Sequence, residues 1–374
     1  MKLTDLFTLA AALADRGIVR AEQLRAAGAD PDSVAQAVAR HWQAPVLGIY
    51  VLHRDPLTEV ELAHVGRRHG GPGSLVSGVL AARAYGMRWI PDVPGVVVLV
   101  SHDVRRQDSS GTVTVRRCRR LREITAVLWE GVLLAAKPRV VVDACRQVIT
   151  HRTAEWGQAR EERRTAFETR CLQEVRGIVL AAVADGHATP AGIRQVLAAG
   201  SRRHTRLIAR ACTDAERGVA SPPEAECADD LFACNVPFAC NVELWDGDEL
   251  VAVLDVVLLG TGVGSEMDSK AHHGTEITLD GTLRRHGRVE AYGGKLLHVT
   301  PTRYRGNPHA HLRDLFAEVR RRQARGLGDP PGLRMVLRGP VLCGPGKDRP
   351  YPVPEWALEA ARTGVLPEYL TRTA

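Results

Sequence analysis

The stretch Val251–His273, VAVLDVVLLGTGVGSEMDSKAHH, decides how the rest of the chain is read. An apolar run bounded by turn residues reads as a buried strand, and Asp255 interrupts it with a carboxylate. Burying that charge is costly unless a cation or hydrogen bonds compensate. The glycine-rich turn Gly260, Gly262, Gly264 then predicts a hairpin. Glu266 and Asp268, two residues apart, share one face of the returning strand. A tight turn at Gly260-Thr261 sets Asp255 opposite Glu266, and one at Thr261-Gly262 sets it opposite Asp268. In either register acidic groups converge in a way that suits a hard divalent cation such as Mg²⁺. A register pairing Asp255 with Met267 turns it to the other face and removes the convergence. His272 and His273 close the stretch.

Two features outside this stretch bear on what such a site would act upon. The 374 residues carry 50 Lys and Arg against 43 Asp and Glu, a net charge of +7. Arginine dominates and is clustered at Arg116–Arg122, Arg202–Arg210, Arg284–Arg288 and Arg320–Arg325. Each run reads either as a solvated face or as part of a phosphate-binding footprint. Of 8 cysteines none forms a C-x-x-C pair, which argues against a zinc ribbon and for free, reduced thiols. The opening residues do not read as a secretion signal and no apolar run reaches membrane-spanning length. The expectation is a cytoplasmic chain with no membrane partner.

Length alone favours two or more compact units. Residues 1–54 supply short helices, one over Leu6–Leu13 ended by Gly17, one over Ala21–Gly28, and one over Val34–His41 led by the capping run Asp30-Pro-Asp-Ser33. The hairpin Pro45–Val51 follows. Three helices and a β-ribbon is the order of a winged helix-turn-helix, whose third helix enters the major groove. The groove-reading candidates are Gln36, Arg40 and His41; the alternative is a small helical subdomain making protein contacts.

Residues 55–215 form a mixed α+β region with a helix over Leu75–Tyr85, strands at Val96–Ser101 and Thr112–Arg116, and several further helices. Residues 216–325 open on Ser221-Pro-Pro-Glu224, where serine, proline and glutamate favour a helix start. Capping is the plain role for Glu224. Strands at Val242–Leu244 and Leu250–Leu259 lead to the opening hairpin. A helix over Thr282–Tyr292 presents Arg284, Arg285 and Arg288, and Lys295–Thr300 adds a strand. Beyond Gly326, rising Pro and Gly content predicts a loosely ordered tail over 326–374.

The helix, strand, turn, strand, helix, strand order with acids at these points resembles the PD-(D/E)XK nuclease superfamily, and within it the very-short-patch-repair (Vsr-like) endonucleases. The residues carrying the likeness are Ser221–Glu224, Leu254-Asp255, Glu266–His273, Arg284–Arg288 and Leu297–Pro301. Gly17–Gly28 and Leu47–Tyr50 resemble the winged helix of AbiEi-like antitoxins. The resemblance implies an α+β multidomain chain: an N-terminal winged helix-turn-helix, a mixed middle region and a C-terminal restriction-endonuclease-like domain.

By that resemblance Asp255 and Glu266 match metal-binding carboxylates, with Glu224 as the acid of the first helix. Asp268 stands where the superfamily has lysine, so His272 or His273 becomes the candidate for activating water. The implied function is Mg²⁺- or Mn²⁺-dependent DNA cleavage. The alternative is a non-catalytic antitoxin-like autorepressor with a cognate toxin, bound to its operator as a homodimer.

Overall fold

A computed structural model describes residues 1–371 except 106, 109–110, 157–160, 269–283 and 285; side chains of 161–165 are likewise left aside. The chain is a mixed α+β protein that divides into two compact units, Met1–Ala209 and Arg210–Ala374.

The first unit begins with α1 (Leu3–Leu13), β1 (Ile18–Arg20), α2 (Ala21–Ala26), α3 (Pro31–Arg40), β2 (Gln43–Val46) and β3 (Ile49–Val51). The strands form an antiparallel sheet of order β1-β3-β2. The local chemistry explains the starts and stops. Asp30 accepts from the Ser33 N–H at 3.0 Å and Pro31 occupies the first turn, so α3 begins three residues earlier than its apolar periodicity suggested. Leu6, Ala10, Val19, Leu24, Ala37 and Trp42 meet in one buried cluster beneath these elements.

The remainder of this unit is built on a five-stranded sheet of order β6-β5-β4-β8-β7. Its strands are β4 (Leu75–Ser77), β5 (Val96–Ser101), β6 (Val113–Cys118), β7 (Ala126–Trp129) and β8 (Val132–Ala135). The helices are α4 (Glu59–Gly70), α5 (Gly78–Ala84), α6 (Lys137–Trp156), α7 (Glu161–Ala184), α8 (Pro190–Ala199) and α9 (Thr205–Glu216), in which the division between units falls. The expected helix over Leu75–Tyr85 is therefore a strand followed by a helix. Leu75, Val76 and Ser77 pair with Leu99, Val98 and Val97, and Gly78 at φ +73° turns the chain into α5. A continuous apolar run does not distinguish a buried strand from a buried helix.

The second unit runs α10 (Pro222–Ala233), β9 (Phe238–Asp246), β10 (Glu249–Leu258), β11 (Val263–Met267), helical residues 286–291 and β12 (Lys295–Val299). It continues with α11 (Pro301–Gly306), α12 (Pro308–Gln323), β13 (Arg334–Val336) and α13 (Glu355–Thr363). The sheet order is β12-β11-β10-β9-β13, antiparallel except for the parallel pair β11/β12.

Residues 326–371 do not form the loose tail expected over 326–374. β13 pairs with β9, and Met335, Val341, Ala357, Ala360, Leu366 and Leu370 join the buried cluster of this unit. The glycines there serve close packing: a Cβ at Gly344 would lie 2.0 Å from the Phe232 carbonyl oxygen. Isolated apolar residues between turns anchor this segment without any periodicity that a sequence reading detects.

One device fixes the tip of the β10–β11 hairpin. Asp329 accepts from the N–H groups of Gly260 (2.9 Å) and Gly262 (3.0 Å). Arg322 donates from below to the carbonyls of Thr261 (3.0 Å), Gly293 (2.6 Å) and Gly328 (3.0 Å). Gly260 and Gly262 have φ of +78° and +64°, and a Cβ on Gly262 would collide with Gly328.

Candidate functional site

The hairpin register follows from its ends. Leu258 opposes Val263 and Val256 opposes Ser265, which carries Asp255 to Glu266 one step on. This is the alignment expected from a turn centred on Gly260-Thr261; the other two registers are not adopted. The strands themselves stop at Leu258 and Val263, so the connection Leu259–Gly262 is longer than two residues.

The two carboxylates are cross-linked through the backbone. The Asp255 N–H donates to Glu266 Oε1 at 3.3 Å, and the Met267 N–H donates to Asp255 Oδ2 at 2.7 Å. Both side chains keep some solvent contact. Burial of its surroundings pushes the Asp255 carboxyl well above the ordinary carboxylate range. The charges of Glu266, Glu224 and Asp268 add to that push, and the Met267 N–H opposes it.

Glu224 lies on α10 with 6% of its surface exposed. Its Oε2 accepts from the Ala220 N–H (3.0 Å) and from Asn241 Nδ2 (2.7 Å). Its own N–H meets the Ser221 hydroxyl at 3.4 Å, the cap geometry expected from the sequence. Glu224 thus combines a structural hydrogen-bond role with a place in the field felt by Asp255.

Asp268 leans toward the neighbouring strand. Its Oδ2 is 2.9 Å from His298 Nδ1 on β12, where His298 is also the register partner of Glu266. The His298 ring packs against His286 at a tilt of 44°, with centroids 3.9 Å apart. Neither imidazole stood out in the sequence as a site residue. The usable signal was the parallel pairing of Lys295–Val299 with the acidic strand, which no local pattern announces.

His272, His273 and Arg285 lie outside the described residues. Arg284 is exposed. Arg288 bonds Glu249 Oε1 at 2.7 Å. Glu249 begins β10, six residues and about 20 Å along the strand from Asp255. Arg288, one of the arginines expected to contact DNA, is thus held at the far end of β10 from Asp255.

In the first unit, Gln36, Arg40 and His41 are exposed at α3 and its end, while Ser33 and Ala37 face the core. His41 also packs edge-on against Phe7, with ring centroids 5.3 Å apart. Leu47, in the turn between β2 and β3, is 97% exposed.

Chemically, the Asp255–Glu266 pair suits a small hard cation, which binds through one or two carboxylates and completes its shell with water. The raised Asp255 carboxyl fits that demand, because a dication relieves the mutual repulsion that burial amplifies. Among the described residues no three His, Cys, Asp or Glu side chains form a group able to hold a metal ion by themselves. Among the same residues no helix is long and apolar enough to cross a membrane.

Comparison with known proteins leaves the family open. No family model and no curated protein matches the chain. A solved structure, the RV2827C protein from Mycobacterium tuberculosis, is similar at 17% identity over 53% of this chain and 80% of that one. Its TM-score of 0.30 is too low to fix a fold.

Proposed function

We propose that the protein binds DNA through residues 1–54 and hydrolyses phosphodiester bonds at Asp255 and Glu266 with Mg²⁺ or Mn²⁺. The observation that carries this reading is the apposition of Asp255 and Glu266 on adjacent antiparallel strands, with Asp268 and Glu224 contributing to the same field.

The fold supports it. The order α10, β9, β10, β11, helical residues 286–291, β12, with β12 parallel to β11, is the arrangement expected of a restriction-endonuclease-like, Vsr-like domain. Asp255 and Glu266 would hold the cation, and a dication at such a site lowers the pKa of bound water and neutralises charge on phosphate. The chain's own residues set the geometry: the reciprocal backbone bonds hold both carboxylates on one face, and Asp268 fixes the His298 ring beside Glu266. For the first 54 residues, the support is the order of three helices, a β1-β3-β2 sheet and polar side chains at the exposed α3 surface.

The test is cleavage of plasmid DNA with Mg²⁺ or Mn²⁺, comparing the intact chain with Asp255→Ala and Glu266→Ala. Cleavage that both substitutions abolish supports the reading; a wild-type chain inert on every DNA and metal tried removes it. One observation favours a second reading. Asp268 occupies the position of the superfamily's lysine and is engaged with His298. A non-catalytic, AbiEi-like autorepressor with a cognate toxin would retain operator binding while lacking metal-dependent cleavage.

A further inference from the structure

A second constellation lies in the first unit, remote in sequence from the acidic pair. On α6, Arg139, Asp143 and Arg146 are spaced to share one helix face. Asp143 is fully buried. Its Oδ1 takes Arg116 Nη1 from β6 at 2.9 Å. Its Oδ2 takes Arg139 Nε at 2.7 Å and the Ser77 hydroxyl at 2.9 Å. Two guanidiniums and one hydroxyl therefore surround one carboxylate.

Arg146 is the unusual member. It is only 5% exposed, yet its Nε has no hydrogen-bond partner. It donates from Nη2 to the Ser201 carbonyl, and Gly200 packs directly over its guanidinium. Two residues on, Arg203 Nε donates to His204 Nε2 at 3.0 Å. Burial, and after it the fields of Arg203, Arg116 and Arg146, hold His204 below its ordinary pKa. Two of the arginine runs seen in the sequence thus meet here, one from β6 and one from the α8–α9 connection.

A buried positive excess of this kind is costly unless an anion balances it. Guanidinium forks match phosphate oxygens in paired hydrogen bonds, and a phosphate brings close to two negative charges. Access exists from one side: Arg116 and Arg139 retain 20% and 15% side-chain exposure, and Ser201, Arg202 and Arg203 are exposed.

We propose that Arg116, Arg146, Arg203 and His204 form a binding site for a phosphate group, with Asp143 and Arg139 holding the arginines in place. The phosphate is either free or the terminal phosphate of a nucleotide chain. The site shares no residue with the carboxylate pair and does not depend on cleavage activity.

The test is calorimetric titration of the full chain with inorganic phosphate, with thermal denaturation in phosphate against chloride at matched ionic strength. Saturable binding and a phosphate-specific rise in Tm are expected. Arg203→Ala, which alters an exposed side chain and should leave the phosphate-free Tm unchanged, should weaken phosphate at least tenfold. Arg146→Gln should do the same if it folds; Arg203→Ala carries the test if it does not. Phosphate with no effect beyond chloride overturns the proposal, as does unchanged affinity in Arg203→Ala. A short 5′-phosphorylated oligonucleotide that displaces phosphate assigns the group to a nucleic acid end. Failure of that oligonucleotide to compete, with phosphate still bound, assigns it to free phosphate.

Discussion

Asp255 and Glu266 each take a backbone N–H from the opposite strand: Met267 N–H to Asp255 at 2.7 Å, and Asp255 N–H to Glu266 at 3.3 Å. The reciprocity locks two carboxylates side by side in surroundings that disfavour their joint ionisation.

Removing one charge should therefore stabilise the fold while destroying the site. Asp255→Asn is expected to raise Tm by about 3 °C or more in metal-free buffer. Mn²⁺ or Mg²⁺ should raise the Tm of the wild type and leave that of the variant unmoved. Differential scanning fluorimetry with and without metal checks both halves; a lower metal-free Tm in the variant would contradict the repulsion.

The same carboxyl sets a pH dependence. Its folded-state pKa is raised above the unfolded one, so protonation is tighter in the folded chain. Its contribution to stability is fully present below about pH 4 and is lost as pH rises through the folded-state value. The difference in unfolding free energy between wild type and Asp255→Asn should widen over that rise, as urea titrations at several pH values would measure. A difference that stays flat speaks against the shift.

His298 and Asp268 are expected to act as a pair. His298→Ala and Asp268→Asn should each slow plasmid cleavage, and the double variant should be little slower than the worse single one. Cleavage rates for the four proteins close the cycle, and strictly additive losses would mean that the 2.9 Å contact is not used in turnover.

At α3, Arg40→Ala should weaken duplex binding by about 1–3 kcal/mol if it reads a base, or flatten the salt slope by about 1 if it meets a phosphate. Fluorescence anisotropy across a salt series distinguishes the two, and an unchanged isotherm removes Arg40 from the interface.

Asp329 should matter to stability out of proportion to its position in the chain. Asp329→Ala leaves the Gly260 and Gly262 amides without their acceptor, at an expected cost of about 2–4 kcal/mol by denaturant unfolding.

Particular residues show how much the sequence could reveal. The register of Asp255 on Glu266 was among its expectations because a period-two strand and a glycine turn leave few alignments. Asp30 and Ser221 announced their helices through cap chemistry that is local by nature. His298 was missed because its place beside Glu266 comes from a parallel pairing across 32 residues of chain. The Arg288–Glu249 bond and the Asp329 clamp are likewise long-range facts, as is the burial of the Pro- and Gly-rich segment. Charge clusters told where arginines crowd, and only the fold tells that Arg116 bonds Asp143 and Arg146 the Ser201 carbonyl.

The Asp329 clamp also orders events in time. It lies 69 residues beyond Gly260, so during N-to-C synthesis the acidic hairpin leaves the ribosome well before the group that seats its tip. A chain interrupted between them carries both carboxylates on a hairpin whose turn amides lack their acceptor. Seating of the acidic hairpin is thereby tied to synthesis of the chain through Asp329.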